Sequence, residues 1–419
     1  MGYDHNIRRD SSLSPEDHVL LCVAHPQVTP ERLERLTSLL TAPLNWEHLV
    51  ALAERHEVVP LLSRHLRAVS AETGPEAVRE TLALRTRENL VRNLHLHQEL
   101  LRILAALNQA ALPVMPLKGP WLSEVLYGDV TLRMTGDLDL MMQPRDLEAA
   151  EQILQELGYR RGRPREHEEE SYHYTFVNDD RRALPVTVEL HWDIVRAHIA
   201  RHDMTKVWSA ATRGEWHGRE IWTMAAPDLF LILCQNAAKD TFGFLKQLVD
   251  VAFVIERWGA TWSWIALAHT IRTTHMRTRV YLTVALVQQL CGSQIPADFL
   301  TAIRPPQGIS WHVGRYLLRW RGGVLHTARA DVGPPFNPIL TLLWEDSWRG
   351  KVRHLRRLIF PPASYQARWT GQSPATSLWW RYPLWRYPLW LGQVCGHIFR
   401  FLPHFGSRHT RNKSHCGEK

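Results

Sequence analysis

Cysteine is scarce in this chain, with five residues among 419: Cys22, Cys234, Cys291, Cys395 and Cys416. They are odd in number and far apart, which argues against a disulfide framework or a cysteine-based zinc site. Cys234 sits in an apolar helical run and reads as a small core residue. No secretory leader is expected, because Asp4, Arg8, Arg9, Asp10, Glu16 and Asp17 interrupt the N-terminal stretch; the compartment expected is the cytoplasm. No helix-turn-helix, zinc-finger or RNP pattern occurs, so sequence-specific nucleic acid binding is not expected. Neither a Walker loop nor a Gly-rich kinase loop is present. Histidine is plentiful at 23 residues, but the pairs His95/His97 and His198/His202 have no third ligand near them in sequence. They are expected to be solvated or hydrogen-bonded rather than metal-bound.

The chain does have the make-up of a folded protein, 45% hydrophobic and 22% charged, and is long enough for two or three units around a substantial core. A net charge of +8 favours anionic partners: nucleotides, nucleic acids or membrane surfaces. Basic residues gather late, in Arg349–Arg357 and in the tail from Arg400 to Lys413.

The chemistry concentrates in Leu117-Lys118-Gly119 and in Arg133-Met134-Thr135-Gly136-Asp137-Leu138-Asp139-Leu140. On an extended strand Asp137 and Asp139 share one face, while Leu138 and Leu140 anchor the other in the core. Two adjacent carboxylates repel unless a cation joins them, and a hard divalent ion, Mg²⁺ or Mn²⁺, suits oxygen ligands of this kind. A third carboxylate is sought in Val186-Thr187-Val188-Glu189-Leu190-His191-Trp192. Its β-branched residues favour a strand on which Glu189 and His191 share a face. Glu189 is assigned as third metal ligand or general base.

On these residues the segment from Leu112 to Tyr159 resembles the uncharacterised nucleotidyltransferase family of the DNA polymerase β-like superfamily, and the similarity runs more loosely from Trp46 to about Tyr365. Lys118, Gly119, Arg133, Asp137, Asp139, Glu189, His191 and Trp192 match the family's pattern one by one. The resemblance implies an α+β fold, a small mixed sheet flanked by N- and C-terminal helical regions. It also implies two metal-binding aspartates and transfer of a nucleoside monophosphate from an NTP to an acceptor. Lys118 and Gly119 would then bind phosphate, and Arg133 would either clamp a phosphate or pair structurally with an aspartate. His191 and Lys239 would face the acceptor, a small molecule, peptide or protein. The family's histidines are replaced by Asn236 and Asp240 in the helical stretch that carries Lys239, and Asp250 matches. That departure points to a different acceptor or to lost turnover.

Four regions are expected: a helical region at 1–110, a nucleotidyltransferase core at 111–225, a second helical region at 226–350, and a basic, Trp-rich segment at 351–419. Asn45 caps a helix over Trp46–Arg55. A longer helix is predicted from Pro75 to Asn108, with Leu90, Leu94, His97, Leu101 and Leu104 as its packed stripe. In the core, 112–115 and 137–142 read as strands. Residues 121–127 read as a helix, as does the stretch after Pro144, which Gly158 stops. Residues 172–178 and 183–192 are expected to form a hairpin around Asp179–Arg182, and the acidic patch Glu166, Glu168, Glu169 and Glu170 is expected to be a solvated loop. Helices follow at 228–258, 262–274 and 276–290.

Near the C-terminus Trp380-Arg381-Tyr382-Pro383-Leu384 repeats as Trp385-Arg386-Tyr387-Pro388-Leu389. It is too short and proline-broken to span a bilayer; its aromatics suit either the protein's own core or a membrane or protein surface. Two rivals to the enzyme are therefore a catalytically inactive binding protein of the same fold, antitoxin-like or a pathway scaffold, and a peripheral membrane protein.

Overall fold

The computed structural model describes residues 13–25, 27–162, 172–178, 184–194, 203–306 and 342–359. The acidic stretch 166–170, the expected turn 179–182, His198, His202 and the Trp-Arg-Tyr-Pro repeat lie outside the described residues.

The chain opens on helices α1 (Pro15–Val23), α2 (Pro30–Leu39), α3 (Trp46–Arg55) and α4 (Val59–Val69). Sequence reading anticipates α3 alone, yet α1 and α2 carry plain start signals. Ser14 forms a capping box with Asp17, Thr29 accepts from the Arg32 amide, and proline follows each cap. The long helix α5 spans Glu76–Gln109, close to the expected bounds.

Its buried face differs from the expected stripe. Leu94 is 46% exposed, while Leu82, Asn89, Asn93, Leu96, Leu100, Leu104 and Leu107 face inward. The reason is polar. Asn89 Nδ2 donates to the Thr131 carbonyl at 2.6 Å, and Asn93 Nδ2 donates to those of Val130 and Arg133 at 2.6 and 2.7 Å. Arg92 donates to the Thr135 and Gly136 carbonyls at 3.0 and 2.7 Å. A loop without regular structure must find partners for its buried backbone groups, and α5 supplies them from side chains.

A five-stranded mixed sheet follows, in the order β1-β2-β5-β4-β3, built from β1 (Met115–Pro116), β2 (Leu138–Met141), β3 (Arg160–Arg161), β4 (His173–Asn178) and β5 (Val186–His191). β2 and β5 run parallel with Asp139 opposite Glu189 and Met141 opposite His191; the other pairings are antiparallel. Helix α6 (Gly119–Tyr127) links β1 towards β2, and α7 (Leu147–Glu156) buries Leu147, Ala150 and Leu154 before Gly158 ends it at φ +88°. A short helix α8 (Met204–Ala210) and a hairpin of β6 (Thr212–Trp216) and β7 (Arg219–Thr223) come next; both escaped sequence reading.

The expected helix over 228–258 is two, α9 (Ala226–Lys239) and α10 (Leu245–Trp258). Thr241 and Phe242 adopt left-handed φ of 57° and 59° ahead of Gly243, a conformation no helix continues through. After α11 (Trp264–Thr273), α12 (Arg277–Leu286) widens into a π-turn at Val287–Cys291, which ends on Gly292 at φ +77°. A short α13 (Ala297–Ala302) and the basic α14 (Trp348–Ile359) complete the described elements. One buried apolar cluster runs from Val19 to Trp344, so the helical flanks and the sheet share a core. Among the described residues no helix is long and apolar enough to cross a membrane.

Candidate active site

The sheet brings three carboxylates to one place. Asp137 lies immediately before β2, Asp139 is inside it, and Glu189 stands opposite Asp139 on β5; one oxygen from each falls within 4.8 Å of the others. Alternation on β2 sends Leu138 and Leu140 into the core, both under 2% exposed, and turns the two aspartates to the other face.

Lys118 approaches from the N-terminus of α6. Its Nζ is 3.0 Å from Asp139 Oδ1, which His191 Nε2 also meets at 3.0 Å. Gly119 makes the approach feasible. It sits at φ +71°, and a Cβ there would stand 3.3 Å from the Asp137 carbonyl oxygen. Leu117 N–H donates to the Asp139 carbonyl at 3.0 Å, fixing the loop against β2.

His191 reaches Glu189 Oε2 at 3.2 Å as well as Asp139. His173, opposite His191 in the β4–β5 register, lies 3.6 Å from Glu189 Oε1. It was not singled out from sequence. Its position follows from the strand register, which pairs Asn178 with Val186 and therefore His173 with His191. Lys239 ends α9 exposed, yet near enough to His173 to disfavour its charge. Asp240 accepts from Gln247 Nε2 at 2.7 Å.

Arg133 points elsewhere. It is buried, and its Nε and Nη2 donate to Asp250 at 2.9 Å each, while the Tyr127 hydroxyl donates to the same carboxylate at 2.7 Å. Of the two roles anticipated for Arg133, this placement favours the structural pair over the phosphate clamp; α10 is thereby tied to the loop that leads into β2.

The electrostatics are those of crowded acids short of positive charge. Repulsion from Asp139, with burial, pushes Asp137 up to about 6. Burial opposes ionisation of Asp139 too, but Lys118 and His191 outweigh it and hold that carboxyl well below the usual range. His191 is buried, which disfavours its charge, but bonds to Asp139 and Glu189 raise its pKa. Burial lowers His173 to about 4, leaving it neutral. Asp139 Oδ2 is shielded from solvent without a hydrogen-bond partner. An orphaned buried carboxylate oxygen beside two further carboxylates is the donor set a hard divalent cation takes.

Residues 42–292 match the family described as "Uncharacterised nucleotidyltransferase". The chain belongs to that family. Its matched span opens just before α3, takes in the whole carboxylate site and ends at Gly292, where the π-turn closes. A solved structure, the antibiotic-resistance factor ANT(2'')-Ia, aligns at 18% identity over 44% of this chain and 93% of its own, with a TM-score of 0.32. No curated protein matches. The nucleotidyltransferase fold class thus rests on the family match together with the mixed sheet and its helical flanks.

Proposed function

We propose that this family member transfers a nucleoside monophosphate from an NTP to an acceptor, using a divalent cation, Mg²⁺ or Mn²⁺, held by Asp137, Asp139 and Glu189. The observation that carries the proposal is the convergence of these three carboxylates, one of which, Asp139, has a buried oxygen without a hydrogen-bond partner. When bound, the cation would supply neutralisation of triphosphate charge and polarisation of the transferred phosphorus.

The chain's own groups do the rest. Lys118 is kept charged by the carboxylates around it, although burial opposes this. Its flexible stem lets it exchange Asp139 for triphosphate oxygens when a nucleotide arrives. Gly119 leaves room for the backbone to come close to those phosphates. Glu189, held ionised by His191 despite burial, is placed to accept the acceptor's proton, or to serve as third ligand while a second group does so. His173 is neutral near pH 7 and stands beside Glu189, which suits it to orient the acceptor. Exposed Lys239 adds positive charge on that side. The acceptor is a small molecule, peptide or protein; the replacement of family histidines by Asn236 and Asp240 falls at the C-terminal end of α9, which also carries Lys239.

The test is binding of ATP, GTP, CTP and UTP with and without Mg²⁺, in wild type and in Asp137→Ala/Asp139→Ala, followed by transfer of labelled nucleotide to candidate acceptors. Saturable, Mg²⁺-dependent binding lost in the double variant supports the reading. Binding without transfer to any acceptor would favour a nucleotide-binding protein that has lost turnover. Absence of binding in folded protein would overturn the nucleotide site itself.

A further inference from the structure

A second cluster of ligand-type side chains lies apart from the carboxylate site. His97 on α5, Glu124 on α6 and His217 at the tip of the β6–β7 hairpin each bring one ligand-type atom within 4.8 Å of the other two. The pairing of His97 with His95 suggested by sequence plays no part here; the third group comes from a hairpin more than a hundred residues away. His217 Nε2 is 2.8 Å from Glu124 Oε2, and Trp216 Nε1 donates to the same oxygen at 3.1 Å. The His97 and His217 rings meet edge-on with centroids 4.8 Å apart. His97 Nδ1 is shielded from solvent and has no hydrogen-bond partner.

Residues 217 and 218 form a two-residue connection with φ of 48° and 71°. Asn-Gly is the sequence that turn prefers, and His217 takes the asparagine position at a left-handed φ that histidine also adopts. Its imidazole is thereby aimed at Glu124 and His97.

We propose that His97, Glu124 and His217 form a binding site for a borderline divalent cation of the Zn²⁺ class, separate from the carboxylate site. Two imidazoles and one carboxylate are a recognised zinc donor set, with solvent available for a fourth position because His217 is exposed. Zinc bonds of about 2.0–2.1 Å in a tetrahedron place ligand atoms roughly 3.3 Å apart, within small side-chain adjustments of the observed separations. Trp216 Nε1–H, donating to Glu124, supplies the outer bond that orients a ligating carboxylate. Nitrogen-rich sites favour Zn²⁺, Co²⁺ or Ni²⁺ over Mg²⁺, so the two sites take different metals.

The location gives such a site a structural consequence. α6 begins at Gly119 beside the carboxylates, and α5 holds the 130–136 loop through Arg92 and Asn93, about one turn before His97. The hairpin is already fastened to α5 by reciprocal bonds between Asn108 and the Glu220 backbone at 3.0 and 2.9 Å. A cation at its tip would join α5, α6 and the hairpin and fix the two helices that frame the carboxylate site.

The experiment is zinc titration of the full chain, in excess Mg²⁺, with bound metal per chain and thermal midpoint read together, for wild type, His217→Asn and Glu124→Gln. His217→Asn suits the turn and keeps the fold; Glu124→Gln retains an acceptor for Trp216. The expected result is one zinc per wild-type chain with a raised midpoint, and an affinity lowered at least ~10-fold in both variants while their metal-free midpoints stay at or above wild type. Zinc bound equally by all three proteins would assign the metal to the His173, Glu189 and His191 group or to nonspecific sites, and would overturn the proposal. No saturable zinc binding by wild type would overturn it as well.

Discussion

Asp137→Asn, studied without divalent cations, tests the electrostatic account of the carboxylate site directly. In the folded chain the Asp137 carboxyl titrates at about 6 against an ordinary value of 3.8, because Asp139 repels its charge and burial removes water. The folded state therefore holds a proton that the unfolded state has released, and stability falls as pH rises from about 4 through 6. The difference of about 2 units is worth about 3 kcal/mol above pH 6. Asparagine keeps the shape but carries no charge. Below pH 4 the variant and wild type should be equally stable; at pH 8 in EDTA the variant should be the more stable by up to about 3 kcal/mol. For a chain of 419 residues that is on the order of 3 °C in melting temperature. Adding Mg²⁺ at pH 8 should stabilise wild type by RT ln(1 + [Mg²⁺]/Kd), rising with the logarithm of Mg²⁺ concentration, and leave the variant nearly unmoved. The assay is a thermal melt across pH 4–8, with and without Mg²⁺. A variant less stable than wild type at pH 8 in EDTA, or a difference that does not change with pH, would refute the reasoning.

Other expectations follow from individual contacts. Mg²⁺ binding at pH 6 should release protons from Asp137, seen as a calorimetric heat that varies with the ionisation enthalpy of the buffer; no variation would sink the account. Arg133→Met should destabilise by about 3–5 kcal/mol, because it leaves the buried Asp250 without its cation and with the Tyr127 hydroxyl as donor, and a chemical denaturation curve checks this. In protein that stays folded at low temperature the same variant should keep most of its nucleotide affinity, whereas Lys118→Met should lose it. Gly119→Ala should cost about 1–3 kcal/mol through its left-handed backbone and weaken nucleotide binding through the crowded Asp137 carbonyl, measurable by a melt and a binding titration. Asn93→Ala removes the close donor to the buried Arg133 carbonyl, while the Val130 carbonyl keeps Ser123 Oγ; it should cost about 1–3 kcal/mol and increase amide exchange in that loop.

Much of the carboxylate site was legible in the chain. Asp137-Leu138-Asp139-Leu140 declares a half-buried strand with its acids on one side, because alternation is a property of the backbone. Val186–Leu190 declares the strand bearing Glu189, because the β-branched Val186, Thr187 and Val188 lead into a single acid held between apolar Val188 and Leu190. Caps such as Asn45 and stops such as Gly158 are likewise local, so α3 and the end of α7 follow from a few residues. What local pattern could not reach was partner choice. Whether Arg133 clamps phosphate or pairs with Asp250 depends on where α10 packs, and α10 is separate from α9 because of the left-handed turn at Thr241 and Phe242. The inward face of α5 was misread because periodicity counts apolar residues, while Asn89 and Asn93 are buried to satisfy carbonyls of a distant loop. The sequence determined which strands exist and which side chains share a face, since those are one-dimensional consequences of backbone geometry. Only tertiary structure decided that Asp139 lies opposite Glu189, that His173 stands beside it and that His217 meets His97, because register and packing join residues that no spacing along the chain relates.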